Sequence, residues 1–212
     1  MNSSAFNRRQ FLALGAALAL SACGGQRGTA ARIPAGSTVL ALGDSLTEGY
    51  GADAASAYPA VLSALSGWNV VNGGVSGDTS AQALARLPEL LRQSPKLVVV
   101  SIGGNDFLRK LPENETRQNI REILAKVQAA GIPAVLVAVP YVTLGALIGS
   151  LSEHPLYADL AKEMKVPLLQ DAWADILGDS SLRSDQIHAN AQGYRVFAEK
   201  LYAFLKKQGF AA

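Results

Sequence analysis

Four short segments hold residue types that together could carry out covalent acyl transfer: Gly43-Asp44-Ser45-Leu46, Gly77-Asp78, Gly103-Gly104-Asn105-Asp106 and Asp185-Gln186-Ile187-His188. Cleaving an ester through a covalent intermediate requires a hydroxyl nucleophile, a base to take its proton, a group that orients the base, and donors for the oxyanion. Ser45 offers the hydroxyl, on a turn where Gly43 lets the backbone bend and expose Oγ. His188 offers the base, because the neutral imidazole is available at physiological pH. Asp185, three positions earlier, can accept the Nδ1 hydrogen and leave Nε2 facing Ser45, with both side chains on one side if the loop turns helically. The backbone N–H groups of Ser45 and Gly77 and the side-chain amide of Asn105 are the candidate oxyanion donors. Gly77 has no Cβ, so a carbonyl oxygen could approach its N–H closely.

Each segment also has a plainer reading. An Asp-Ser pair after a strand commonly caps a helix, and an Asp and a His in a loop can simply be solvated or cap the helix that follows. Gly77, within Gly73-Gly74-Val75-Ser76-Gly77, reads as a turn glycine, and Asn105 as a turn former after Gly103-Gly104. Asp78 and Asp106 read as structural caps or as partners standing behind a site. The other histidine, His154, lies in Ser152-Glu153-His154-Pro155 with no Asp at the corresponding spacing, and reads as a solvated loop residue.

The elements that must bring these segments together are legible in the hydropathy pattern. Short apolar runs predict strands at Thr38 to Leu42, Asn69 to Asn72, Leu97 to Ile102, Ala134 to Val139 and Pro167 to Gln170. Helical patterns fall at Tyr58 to Leu65, Ala81 to Arg92, Thr116 to Ala130, Tyr157 to Lys165 and Ala191 to Lys207, the third stopped by Gly131-Ile132-Pro133. Strands alternating with helices predict an α/β fold, a three-layer α/β/α domain whose five-stranded parallel sheet has the flavodoxin-like order 2-1-3-4-5. Ligands in such sheets sit beyond the carboxyl ends of the strands. Three of the four segments fall just after a predicted strand, and the fourth lies in the loop beyond the fifth. Their convergence on one rim says more than any one of them.

The chain has 212 residues, of which 49% are hydrophobic and 17% charged, a length that suits one substantial core. Its 19 basic and 17 acidic residues leave a formal charge of +2. Arg8 and Arg9 account for that excess, so the rest of the chain is balanced and carries no electrostatic footprint for nucleic acid. No phosphate-cradling Gly-x-x-x-x-Gly-Lys-Ser/Thr stretch is present, and no Cys/His cluster has zinc spacing.

Residues 1–22 read as an export signal: a basic start ending in Arg8-Arg9, an apolar stretch from Phe11 to Leu20, then Ser21-Ala22 before Cys23. The apolar stretch is too short to span a bilayer, which takes about 20 residues. Leu20-Ser21-Ala22-Cys23 resembles a bacterial lipobox, and Arg8-Arg9-Gln10-Phe11-Leu12 resembles a twin-arginine signal, with Asn7 and Ala13 departing from its usual flanks. Cys23 is the single cysteine, so no intramolecular disulfide can form. The expected organisation is a lipoprotein signal peptide (1–22), a flexible tether (23–36) acylated at Cys23, and a catalytic domain (37–212). That chain would be a monomeric, membrane-anchored lipoprotein facing the periplasm or cell exterior.

The four segments in this order resemble the SGNH (GDSL-type) hydrolases, and in particular their bacterial arylesterase, thioesterase and lysophospholipase branch. Gly43-Asp44-Ser45-Leu46-Thr47 is similar to the block that carries the nucleophile, and Ser76-Gly77-Asp78-Thr79 to the block with the oxyanion glycine. Gly103-Gly104-Asn105-Asp106 is similar to the block with the oxyanion asparagine, and Asp185-Gln186-Ile187-His188 to the block with acid and base. In the last block Gln186 stands where the family commonly has Gly, and Ala189 where it has Pro. The resemblance implies a cofactor-free serine ester hydrolase acting on small-molecule or lipid esters or thioesters: Ser45 attacks, His188 takes and returns the proton, Asp185 orients it, and Gly77 and Asn105 hold the oxyanion. Two other functions stay open on the sequence, a carbohydrate acetylesterase on the same scaffold and a catalytically silent binding lipoprotein. The apolar stretch Tyr141 to Leu151, with Leu144, Ala146, Leu147 and Ile148, is expected either to line an acyl groove or to be buried in the core.

Overall fold

The valine- and leucine-rich runs form strands buried on both faces, the situation in which polar alternation disappears from a strand. In the computed structural model, which describes residues 32–141 and 151–212, the central sheet consists of β1 (Thr38–Gly43), β2 (Asn69–Gly74), β3 (Val98–Ser101), β4 (Ala134–Val137) and β7 (Leu168–Leu169). Every pairing is parallel and the order is β2-β1-β3-β4-β7, the flavodoxin-like arrangement expected from the sequence. The signal segment, Cys23, the tether as far as residue 31 and the stretch 142–150 lie outside the described residues.

The longer helices are α2 (Tyr58–Ser66), α3 (Ser80–Leu91), α5 (Glu113–Ala129), α6 (Leu156–Met164) and α8 (Ala191–Lys207). Each turns an apolar stripe inwards: α5 buries Thr116, Ile120, Ile123, Leu124 and Val127, and α8 buries Tyr194, Phe197, Ala198, Leu201 and Leu205. Beneath the site the core is aromatic, with Trp173 stacked on Phe197 at 3.7 Å and Tyr58 edge-on to both rings. Three short helices were not legible in the sequence: α1 (Ser45–Glu48), α4 (Gly104–Leu108) and α7 (Ala172–Gly178).

Three further expectations change. The strand read as Ala134 to Val139 ends at Val137, and Pro140–Tyr141 (β5) pairs antiparallel with Ser152–Glu153 (β6) in a separate two-stranded ribbon. The fold begins before residue 37: Ile33 is buried, its N–H donates to Phe210 O at 2.9 Å, and its carbonyl accepts from Trp68 Nε1 at 3.1 Å. The segment 33–36, read from its small residues as tether, is therefore tied into the domain. His154 is not a solvated loop residue either. The ribbon folds it onto α4, where its ring stacks on Phe107 at 4.8 Å and meets Tyr141 edge-on, leaving 14% of the side chain exposed.

Candidate active site

Strand β1 delivers its last residue, Gly43, into a place where a side chain has no room: a Cβ there would lie 2.0 Å from Thr47 Oγ1 and 2.5 Å from Ser101 O. Glycine is needed at this position for close approach, not for a sharp turn as the sequence suggested, since Gly43 has no positive φ. The chain then enters α1 at once. Asp44 caps this helix by accepting from Leu46 N at 3.1 Å, and Ser45 is its first residue. Thr47 Oγ1 meets the buried Tyr58 hydroxyl at 3.3 Å, which ties the short helix to the aromatic core.

The other end of the chain arrives from the loop before α8. That loop is not helical; it is closed by an antiparallel bridge between Arg183 and Ala189 and by Ser184 N donating to His188 O at 3.0 Å. Asp185 shapes it from within, Oδ1 accepting from the N–H groups of Ile187 at 2.8 Å and His188 at 2.9 Å. Its other oxygen, Oδ2, lies 2.8 Å from His188 Nδ1. His188 Nε2 stands 3.0 Å from Ser45 Oγ. With Nδ1–H donating to the carboxylate, Nε2 is left to accept the Ser45 hydroxyl proton. Burial pushes the Asp185 carboxyl up, but the hydrogen bonds from His188 and the Ile187 N–H outweigh it and hold the pKa below the ordinary aspartate value. The side chain of His188 is 13% exposed, and the ring of Tyr50 lies over it with centroids 4.4 Å apart.

The structure brings the expected oxyanion donors to the same cavity, which Ser45, Gly77 and Asn105 all line. Gly77 has φ +84, and a Cβ on it would meet only Arg109 Nη2, at 3.4 Å. Backbone conformation, more than space for an incoming oxygen, is therefore what calls for glycine here. Asn105 sits in the first turn of α4, and its amide donates to Asp78 O at 3.0 Å. Asp106, the next residue, is buried and joins two helices, accepting from Ser80 N at the start of α3 at 2.8 Å and from Thr116 Oγ1 of α5 at 3.2 Å. Asp78 is held by Arg86, whose Nε lies 2.6 Å from the carboxylate. Glu48 fastens α1 to the same loop, accepting from Ser76 N at 2.6 Å.

Asp44 lines the cavity and is buried, and desolvation raises its pKa to about 7, against the opposing hydrogen bond from the Leu46 N–H. The cavity has a volume of about 250 Å³, and its remaining walls are largely aliphatic: Leu46, Leu108, Val139, Pro140, Leu177 and Ile187. Of these, only Leu46 and Ile187 fall within the four segments picked out in the sequence; the other four do not, and neither do Tyr50 and Arg86. A usable signal existed for Arg86. It falls between Ala83 and Leu87 on the buried face of α3, where a charge needs a partner.

Comparison with known proteins agrees with this arrangement. Residues 41–196 match the family model described as GDSL-like Lipase/Acylhydrolase family. The chain is 39% identical over 172 residues to thioesterase 1/protease 1/lysophospholipase L1 of Escherichia coli strain K12, covering 79% of this chain and 83% of that protein. It is 33% identical over 137 residues to an arylesterase of Vibrio mimicus, covering 62% of this chain and 68% of that one. Among solved structures, the psychrotrophic esterase EstA of Pseudoalteromonas sp., inhibited by monoethylphosphonate, superposes with a TM-score of 0.70 at 27% identity, over 81% of this chain and 97% of that one. Sequence match and structural superposition lead to one conclusion: the chain belongs to the GDSL-like lipase/acylhydrolase family and is a serine ester hydrolase.

Proposed function

We propose that the protein hydrolyses carboxylic esters or thioesters of small or fatty acyl groups through an acyl-enzyme on Ser45. The observation that carries this reading is the continuous relay from Asp185 Oδ2 to His188 at 2.8 Å and from His188 to Ser45 Oγ at 3.0 Å, opening on an aliphatic cavity. Ser45 Oγ attacks the acyl carbonyl as His188 takes its proton, and the carbonyl oxygen, now negative, is received by the N–H groups of Ser45 and Gly77 and by Asn105. His188 returns the proton to the departing alcohol or thiol. Water, deprotonated by the same imidazole, then releases the acid and restores Ser45. Asp185 keeps the imidazole in the tautomer this requires. The aliphatic walls support an acyl chain over a sugar as the group bound, and so this reading over a carbohydrate acetylesterase.

Fluorophosphonate labelling of the purified domain tests the assignment. Wild-type protein takes the label and Ser45→Ala does not; equal labelling of the two would remove Ser45 from the role of nucleophile. The reading extends to an exported lipoprotein acylated at Cys23, supported by the lipobox-like Leu20-Ser21-Ala22-Cys23. Mass spectrometry of the mature N-terminus tests that part, and an unmodified Cys23 thiol would end it.

A further inference from the structure

Arg86 is the one side chain in the described structure that bonds both to the end of β1, two residues before Ser45, and to the loop carrying Gly77. From the inner face of α3 its Nη2 donates to Gly43 O at 2.7 Å, and its Nε donates to the Asp78 carboxylate at 2.6 Å. Gly43 lies two residues before Ser45, and Asp78 one residue after Gly77. The Asp78 carbonyl in turn accepts from the Asn105 amide at 3.0 Å. A single guanidinium thus grips the backbone two residues before Ser45 and the residue after Gly77, whose carbonyl in turn holds the Asn105 amide, although it does not line the cavity itself. Its two acceptors are both nearly out of solvent: Gly43 is buried and the Asp78 side chain is 9% exposed, with Arg86 at 24%. In that setting two planar, charge-assisted bonds fix position closely, because the fork of a guanidinium cannot swivel independently at its two ends.

We infer that Arg86 is a positioning residue for the reaction, setting the distance between the Ser45 and Gly77 N–H groups and the orientation of Asn105. The inference rests on the hydrolase reading above. Oxyanion stabilisation depends on donors placed before the charge develops, and small displacements are costly there. A brace that served only folding would leave turnover per folded molecule intact. A brace that sets donor spacing is felt in the transition state and hardly at all in substrate binding.

The test compares full-chain wild type with Arg86→Met and Arg86→Lys, measuring kcat and KM on an aryl ester, the inhibition constant of an alkyl trifluoromethyl ketone, and thermal midpoints. The ketone adds to the nucleophile as a tetrahedral oxyanion, so it reports on the donors directly. Arg86→Met is expected to lower kcat by about 10- to 100-fold with KM within about twofold. Ketone affinity should fall by the same factor as kcat/KM, and Arg86→Lys should recover part of both, since an ammonium reaches one acceptor well and the pair poorly. A lower thermal midpoint with unchanged kcat and ketone affinity would overturn the inference and leave Arg86 a structural brace. Should Arg86→Met fail to fold, Arg86→Lys alone decides, and wild-type kcat and ketone affinity in that variant overturn it. Wild-type protein that neither turns over esters nor takes the fluorophosphonate label overturns the hydrolase reading and this inference together; an active wild type with unaffected variants overturns the inference alone.

Discussion

His188 Nε2 lies 3.0 Å from Ser45 Oγ across 143 residues of chain. The contact exists because the carboxyl ends of β1 and the loop before α8 open on the same side of the sheet. Asp185 stands behind it at 2.8 Å, partly exposed, and also organises the loop backbone.

Asp185→Asn separates those two duties. The amide oxygen still accepts from the Ile187 and His188 N–H groups, so the loop keeps its shape, but an amide cannot hold the imidazole in the required tautomer as a carboxylate does. We expect kcat to fall by about 10²- to 10⁴-fold with little change in thermal midpoint. Steady-state kinetics with a melting curve checks this, and a kcat within twofold of wild type would take Asp185 out of the relay.

Asn105→Ala removes one oxyanion donor and frees the Asp78 carbonyl. A kcat lower by about 10²- to 10³-fold is expected, with KM nearly constant. A rise in KM at constant kcat would instead make Asn105 a substrate-binding group.

Asp44 gives a prediction about pH. Its carboxyl is pushed up from 3.8 to about 7 by burial, so the folded protein keeps a proton that the unfolded chain gives up at a lower pH. Its contribution is therefore most favourable below the unfolded value and is lost as pH rises through the folded one. Relative to Asp44→Asn, which retains an oxygen for the Leu46 N–H, wild type should lose on the order of 4 kcal/mol between pH 4 and pH 8. Urea denaturation of both proteins across that range measures the difference, and parallel stability curves would refute it.

Leu108 is 44% exposed at the cavity mouth, so the fold tolerates change there. If the mouth binds acyl chains, Leu108→Asp should lower kcat/KM for an octanoyl ester by roughly tenfold more than for an acetyl ester, as loss of a few buried methylenes would. Equal effects on the two esters would remove Leu108 from acyl binding.

The strand order and the rim were legible because buried parallel strands announce themselves as unbroken apolar runs, and ligands in such sheets gather at one end. Much of the site's support was not legible. Gly103-Gly104-Asn105 reads as a turn, yet α4 begins at Gly104, held against α3 by the Asp106 carboxylate, a contact made across 26 residues of chain. The β5–β6 ribbon pairs two residues with two, too few for any periodicity, and its closure is what folds His154 onto Phe107 and Tyr141. Asp185 and His188 were read as sharing a helical turn; the loop reaches the same juxtaposition through side-chain-to-backbone bonds that leave no hydropathy trace. Arg86 illustrates the general limit, since its partners at Gly43 and Asp78 are specified by tertiary packing.

Ile33 is bonded to Phe210 at the edge of the sheet where β1 and β2 start. Ile33 and Phe210 thus both lie at the pole opposite the catalytic mouth. A bead coupled through the residues that follow Phe210 would therefore point the entrance outwards and keep it unobstructed.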